Sequence, residues 1–148
     1  RITVRADEAR ALAEAGADII AYDATPRPRT DPREAVLAAI LESGCIAMAD
    51  CATLEDGRTA LEDGAAIIGS TLSGYTAETR GKGDAPDFEL VRQFRALNGF
   101  VMAEGRINTP DLARQAIAAG ADAVTVGSAL TRLEHVAGWF ADALRDPR

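Results

Sequence analysis

The chain repeats one pattern five times: an amphipathic stretch, a glycine, and a short apolar run that ends on a polar residue. Each run is apolar throughout instead of alternating, which is typical of a strand covered on both faces of a parallel sheet. The sequence therefore predicts an α/β fold of alternating helices and strands. The glycines are Gly16, Gly44, Gly64, Gly99 and Gly120, and the predicted strands are 19–23, 45–50, 65–71, 100–104 and 123–128.

Most of the stretches between the runs open with a helix-start signal. Asp31 precedes Pro32, so we expect a helix that begins near Pro32 with the Asp31 side chain as its cap. Thr53, Asp87 and Thr109 offer the same kind of side-chain acceptor. Right-handed crossovers would place each helix outside a parallel sheet. At this point both a closed barrel and an open sheet fit the pattern.

Polar residues close the five apolar runs. They are Asp23, Asp50, Thr71, Glu104 and Ser128. In barrels and open parallel sheets the carboxyl ends of the strands carry the active site, because the loops there converge on one space. The simpler explanation is that a strand ends where it reaches water. Five ends in register favour a site, in which Asp23, Asp50 and Thr71 are substrate-binding candidates.

The stretch 103–110 runs from a strand end through a glycine loop to a proline-started helix. A carboxylate at the mouth of such a sheet is positioned for proton transfer, and apolar surroundings can raise its pKa. Glu104 is therefore the leading acid/base candidate. The structural alternative is that Glu104 pairs with Arg106 or caps a neighbouring loop, and its position alone leaves both open.

A second candidate feature follows the last predicted strand, where Gly127 and Ser128 open a helical turn. Glycine lets backbone N–H groups approach an oxyanion, and the loops after strands seven and eight form the usual phosphate site of (β/α)₈ barrels. Counting back from the C-terminal helix, 100–104 would be strand seven and 123–126 strand eight. Arg106 and Arg132 could then supply charge and forked hydrogen bonds to a phosphate.

Charge and composition exclude several kinds of function. The formal net charge of −7 argues against a nucleic-acid or anionic-membrane partner, because such binding needs a dense basic patch. Cys45 and Cys51 lie at opposite ends of one predicted strand, beyond disulfide reach. No metal-ligand spacing is present, and no apolar stretch approaches the roughly 20 residues that span a bilayer. We expect a cytoplasmic protein without a bound metal.

Two other segments draw weaker predictions. The region 71–86 has the glycines and charges of a mobile loop, either a plain connection or a lid, and Lys82 within it is expected to be solvated and not catalytic. His135 is predicted to be a packing or surface residue. Trp139 and Phe140 are predicted to close the core.

Five motifs together resemble the family of N-acetylmannosamine-6-phosphate 2-epimerases. They are ADIIAYDATPRPR (17–29), MADCATLED (48–56), GSTLSGYT (69–76), AEGRINTP (103–110) and AVTVGSALTR (123–132). The resemblance covers nearly the whole chain and follows the order and spacing of that family.

The resemblance implies a (β/α)₈ barrel and a reaction at the carbon that bears the acetamido group of a sugar phosphate in sialic acid catabolism, with no cofactor. Glu104 matches the catalytic carboxylate and Asp50 a substrate-contacting carboxylate. Asp23 and Arg27 match a further rim motif. Arg132 and the glycine loops, Gly105 included, match the phosphate-binding end. A homodimer is the family's expected assembly.

The family's second catalytic group is a lysine on an early strand, which would fall upstream of Arg1. We therefore interpret Arg1 as a truncation point and 1–148 as a single partial barrel domain of about the last five βα units, with a strand remnant at 2–4. On its own it is expected to be inactive. The alternatives are a sugar-phosphate-binding module without catalysis and a different phosphate-binding barrel, such as a pentose-phosphate epimerase or a thiazole-phosphate synthase. A barrel of that kind would need a metal-ligand set or a Schiff-base lysine, and neither is evident.

Overall fold

The computed structural model describes residues 2–81 and 85–145, and Lys82 lies outside the described residues. The strands are β1 (Ile19–Asp23), β2 (Ile46–Asp50), β3 (Ile67–Gly69), β4 (Phe100–Glu104) and β5 (Ala123–Thr125). The helices are α1 (Ala6–Glu14), α2 (Arg33–Glu42), α3 (Leu54–Glu62), α4 (Phe88–Arg95), α5 (Pro110–Ala118), α6 (Ser128–Thr131) and α7 (Leu133–Arg145).

The strands form one parallel sheet in the order β1-β2-β3-β4-β5, so each strand pairs with the next along the chain. Doubly wound open sheets reverse direction at a switch point, whereas a (β/α)₈ barrel adds its strands sequentially. The sheet is therefore an arc of a barrel, which confirms the predicted fold class. Thr3 makes a parallel bridge to Tyr22 of β1, so the segment 2–4 lies beside β1 as a sixth position.

Buried apolar side chains lie between the sheet and its outer helices. Ile40 of α2 and Phe94 of α4 are fully buried, as is Ile68 of β3. This packing fixes the carboxyl ends of β1 to β4 at one edge.

Three strands are shorter than predicted. The run 45–50 is a strand only from Ile46, the run 65–71 only over Ile67–Gly69, and the run 123–128 only over Ala123–Thr125. Thr71 lies in a turn, and the dihedral angles of Gly127, φ −94° and ψ −96°, are not those of a strand. Ser128 consequently opens α6 instead of closing β5.

Three of the four predicted helix caps are confirmed. Thr53 and Asp56 form a reciprocal capping box on α3, Asp87 accepts the Leu90 N–H on α4, and Thr109 accepts the Leu112 N–H on α5.

The fourth cap, Asp31, was predicted wrongly. Pro32 is itself the N-cap of α2, and no side chain caps this helix. The Asp31 carboxylate instead accepts the Ala6 N–H at 2.8 Å, at the start of α1. Unpaired N–H groups at a helix N-terminus attract a carboxylate, and α1 competes for it successfully.

The prediction that Trp139 and Phe140 close the core is also wrong. The exposed fractions are 37% for Trp139 and 71% for Phe140. Within residues 2–81 and 85–145, the closest packing of α7 is against the short helix α6, so the apolar side of α7 is largely uncovered. His135 lies on the surface, as one of its two predicted alternatives allowed.

Two helical glycines provide a matched test of this packing. A Cβ at Gly57 of α3 would lie 2.6 Å from Cε1 of the buried Phe94, whereas a Cβ at Gly138 of α7 would meet nothing within 4 Å. We expect Gly57→Ala to lower the free energy of unfolding by about 1–3 kcal/mol through overpacking. Gly138→Ala should raise it by about 0.5–1 kcal/mol through helix propensity. Urea unfolding measures both, and an equal effect at the two sites would contradict the α3–α4 packing.

Candidate active site

The strand ends bring carboxylates to one rim of the sheet. Asp23 of β1 lies directly opposite Asp50 of β2, and Glu104 closes β4. The Thr71 hydroxyl, two residues past β3, lies 2.6 Å from Oδ1 of Asp50 and 3.2 Å from Oε2 of Glu104. The turn after β3 thereby joins two carboxyl groups that belong to different strands.

Burial makes both carboxyl groups easier to protonate. Asp50 is 2% exposed, and burial is the main reason that its pKa rises to about 7, with the nearby charges of Glu104 and Asp23 adding to the effect. Burial also raises the pKa of Glu104. The hydrogen bond from Thr71 opposes the rise in each case. A carboxyl group with a pKa near neutrality can both accept and donate a proton at working pH.

The raised pKa of Asp50 predicts a pH-dependent stability. A group whose pKa is higher in the folded than in the unfolded chain stabilises the fold fully below the unfolded value, and this stabilisation is lost as pH rises through the folded value. For Asp50 the window runs from about pH 4 to about pH 7. Relative to Asp50→Asn, the wild-type chain should lose up to roughly 4 kcal/mol between pH 4 and pH 8. Urea unfolding of both proteins measures the difference, and parallel pH profiles would contradict the raised pKa.

Glu104 and Thr71 open onto a cleft of about 380 Å³ at this rim. Several residues predicted for the site also line it, and they are Gly105, Arg106, Gly127 and Ser128. Sequence reasoning did not place Tyr75, Asn108, Thr125, His135 or Trp139 here, yet they line the same cleft. The position of Tyr75 in the loop after β3 could have indicated it, because loops at the strand ends carry a large share of binding residues. His135 and Trp139 come from α7, and no local signal links α7 to β4.

Arg106 supports the rim of the cleft. It has a left-handed backbone, with φ 59°, directly after Gly105 at φ 105°. Its guanidinium donates hydrogen bonds of 2.9 Å to the carbonyls of Ala85 and Ser73, and it lies 5.1 Å from the ring centroid of Tyr75. Arg106 therefore ties the β4–α5 loop to the long loop after β3. An arginine held in a left-handed conformation is rare outside sites that demand it.

Asp23 is enclosed by its own loop. Its carboxylate accepts hydrogen bonds from the backbone N–H and the hydroxyl of Thr25, and it pairs with Arg27 and Arg29. Arg27 and Arg29 line a separate groove of about 370 Å³ beside α2, outside the cleft. The side-chain bonds of Asp23 thus organise residues 24–30, and the structure does not bring Asp23 and Arg27 to the walls of the Glu104 cleft.

Arg132, predicted for the phosphate, is not among the residues that line the cleft. It lies at the end of α6, is 55% exposed and donates to Glu134 at 2.9 Å. Among the residues that the structure describes, no lysine, arginine or histidine forms an ion pair with Asp50 or Glu104. Within the described residues, the Thr71 hydroxyl is the side-chain partner of both carboxyl groups, and burial disfavours their charged forms.

Other classes of site find no support in the described residues. No three histidine, cysteine, aspartate or glutamate side chains in 2–81 and 85–145 are grouped so that they could hold a metal ion. Both cysteines are free thiols. None of the helices within the same ranges has the length and apolar composition needed to cross a membrane.

Comparison with known proteins gives one consistent result. The chain is 51% identical to a Haemophilus influenzae protein named "Putative N-acetylmannosamine-6-phosphate 2-epimerase", over 100% of this chain and 64% of that protein. It is 54% identical to a Vibrio cholerae serotype O1 protein of the same name, over 97% of this chain and 59% of that protein. The chain spans about three fifths of the curated relatives that it matches.

A solved structure is also similar. The N-acetylmannosamine-6-phosphate 2-epimerase from Clostridium perfringens superimposes with a TM-score of 0.86 at 36% identity, over 93% of this chain and 60% of that chain. The sequence profile of one family, NanE, described as "Putative N-acetylmannosamine-6-phosphate epimerase", matches residues 1–146. The chain therefore belongs to the NanE family.

Proposed function

We propose that this chain forms the C-terminal part of an epimerase that interconverts N-acetylmannosamine 6-phosphate and N-acetylglucosamine 6-phosphate. The observation that carries the proposal is Glu104, a carboxyl group with a raised pKa that lines a cleft at the carboxyl ends of the strands. The named activity of the Clostridium perfringens relative supports the choice of substrate.

The reaction inverts the carbon that bears the acetamido group, C2, in the open-chain form of the sugar. A base removes the C2 proton, which is acidic because the aldehyde carbon is adjacent, and an acid then returns a proton to the opposite face. The enolate formed between these steps is stabilised by fixed donors and charges. Glu104 acts as one of the two acid/base groups. The other, by family resemblance, is a lysine upstream of the chain.

The phosphate end of the substrate is assigned to the wall of the cleft formed by Gly105, Arg106, Gly127 and Ser128. Glycine backbone and a following helical turn suit a phosphate oxyanion. Arg132 could join this end if its contact with Glu134 opened, because that ion pair is solvent-exposed and contributes little. Thr71 borders the reacting end, and Asp50 acts there through the Thr71 hydroxyl, because Asp50 is buried and does not line the cleft. Asp23 and Arg27 shape the neighbouring rim. No cofactor is required for this proton-transfer chemistry.

The wider setting follows from this activity. We propose a cytoplasmic enzyme of sialic acid catabolism that acts on a sugar-phosphate substrate, binds neither nucleic acid nor membrane, and forms a homodimer. The net charge of −7 supports the absence of a polyanionic partner.

A conversion assay tests the proposal. The chain is extended upstream to the length of its relatives and incubated with N-acetylmannosamine 6-phosphate, and the ratio of the two epimers is followed by proton NMR. We expect conversion of the phosphorylated sugar and slower conversion, by at least about 100-fold, of N-acetylmannosamine without phosphate. Failure to convert the phosphorylated sugar would refute the epimerase.

A binding module without catalysis is the second candidate. One observation favours it for the chain alone: no cation among the described residues balances Asp50 and Glu104. In that case N-acetylmannosamine 6-phosphate would shift the NMR signals of Gly105, Gly127 and Ser128 in the extended protein, and no epimer would form.

A further inference from the structure

One hydroxyl group contacts two carboxyl groups in this site. Thr71 Oγ1 lies 2.6 Å from Asp50 Oδ1 and 3.2 Å from Glu104 Oε2. A threonine hydroxyl has one proton to donate and two lone pairs that accept. It can satisfy both neighbours fully only if it donates a hydrogen bond to one carboxylate and accepts a hydrogen bond from the other group, which must then be a carboxylic acid.

We propose that Thr71 is a positioning residue that links Asp50 and Glu104 into a pair that holds one shared proton. Either carboxyl group can carry this proton, because the hydroxyl can reverse its direction. When Glu104 is protonated it donates to Thr71, which donates to Asp50. When Asp50 is protonated the two hydrogen bonds run the other way.

Burial explains why the pair keeps a proton. Asp50 is 2% exposed, so a full negative charge on it lacks hydration, and a second negative charge on Glu104 close by would add repulsion. The raised pKa of each group agrees with this arrangement. Two carboxyl groups that interact this closely titrate in two steps that belong to the pair.

The other groups around Asp50 do not replace the proton. Asp23, opposite Asp50 on β1, is already paired with Arg27 and Arg29, so these arginines are committed to it. The next residue, Cys51, has a buried thiol that donates a hydrogen bond to the Ala49 carbonyl. Burial raises the pKa of this thiol, so it stays neutral.

The charged groups that share the cleft with Glu104 are Arg106 and His135. The Arg106 guanidinium donates to the carbonyls of Ser73 and Ala85 in the loop after β3, and within the described residues it forms no ion pair with Glu104. His135 lines the cleft but forms no ion pair with Glu104 among the described contacts. Because neither residue forms an ion pair with Glu104 in the described part of the chain, the shared proton is what reduces the negative charge of the pair.

The link would also let Glu104 serve both directions of the reaction, a step that rests on the proposed epimerase function. With the shared proton on Glu104, this residue can protonate the sugar carbon; with the proton on Asp50, Glu104 is a carboxylate that can remove a proton from it. Between the two forms Glu104 passes its proton to Thr71 Oγ1 while Thr71 passes its own to Asp50, so one O–H bond is broken and one is formed at the hydroxyl and the pair keeps one proton. A proton given to the sugar leaves the pair, and a proton from water in the cleft replaces it before the next turnover.

The test is a carboxyl titration of the chain by carbon NMR, with ¹³C in the side-chain carboxyl groups of aspartate and glutamate. The proteins are the wild type, Thr71→Val, which keeps the shape and removes the hydroxyl, and Thr71→Ser, which keeps the hydroxyl. In the wild type and in Thr71→Ser, the Asp50 and Glu104 signals should each show the same two steps. In Thr71→Val each signal should show a single step, and the Asp50 midpoint should rise by about one pH unit because its donor is lost.

Single independent steps in the wild type, or unchanged titrations in Thr71→Val, would overturn the proposal. If Thr71→Val does not fold, Asp50→Asn decides the question: the two-step curve of Glu104 should collapse to one step at a lower midpoint. An unaltered Glu104 curve in Asp50→Asn would again contradict the shared proton. These outcomes do not depend on turnover, so a failure of the epimerase assay and a failure of the proton link are separate results.

Discussion

Glu104→Gln is expected to reduce epimer formation by about 10²- to 10⁴-fold in the chain extended to the length of its relatives, the range that a positioned acid/base group contributes. The amide keeps the shape of the side chain and can still accept from Thr71, but it cannot take up or return a proton. Loss of one of the two acid/base groups on opposite faces should also make the two epimers differ in C2 proton exchange. In D₂O the epimer whose C2 proton faces Glu104 should stop exchanging, while the other epimer should still exchange.

Glu62→Gln is the matched control, because Glu62 is exposed at the end of α3, away from the cleft. It should convert the substrate at the wild-type rate. Proton NMR in D₂O reads conversion and exchange in one sample. Retention of conversion within a factor of about ten in Glu104→Gln would remove Glu104 from the acid/base role.

Asp23→Ala is expected to lower the free energy of unfolding by about 3–5 kcal/mol, the cost of removing one partner from a buried ion pair. Asp23 is 5% exposed, and its carboxylate accepts from Thr25 and pairs with Arg27 and Arg29. The Arg29 side chain is 10% exposed and would be left without its carboxylate partner. Against a total stability of about 5–15 kcal/mol, this change would loosen the whole rim after β1.

Asp7→Ala removes a comparable but exposed ion pair with Arg5 and should change the stability little. Urea unfolding followed by far-ultraviolet circular dichroism measures both variants. A loss below about 1 kcal/mol in Asp23→Ala would show that the cluster is not structural. Asp23 would then be free to serve as the substrate contact that its rim position predicts.

The repeat of helix, glycine and apolar run was sufficient to predict the sheet. Two of the strands, 19–23 and 100–104, have the predicted limits, and each ends on the polar residue that closes its apolar run, Asp23 or Glu104. The sequence pattern did not distinguish a barrel from an open sheet. Strand order does, and it arises from contacts between elements that are distant in sequence.

Local sequence patterns predicted less well which elements contact each other. Trp139 and Phe140 are apolar at helical spacing, yet their burial depends on which element packs against α7. Asp31 has the spacing of a cap for α2, but the nearby end of α1 takes its carboxylate. In each case the outcome depends on a neighbour that lies far away in the sequence.

The candidate site shows the same division. Glu104, Asp50 and Thr71 were predicted at the rim from their positions at the ends of apolar runs. Their connection through one hydroxyl was not, because it depends on how far the turn after β3 reaches across the sheet. The cleft-lining side chains of Tyr75 and His135 arrive from a loop and from α7, and only the folded chain brings them together.

We propose that this chain supplies one of two acid/base groups and that the other lies in the part of its relatives that the chain does not cover. The most direct measurement is proton NMR of N-acetylmannosamine 6-phosphate in D₂O with the chain alone and with the chain extended to the length of its relatives. We expect full C2 exchange and epimer formation with the extended protein and no epimer formation with the chain alone. Epimer formation at an enzymatic rate by the chain alone would contradict the proposal.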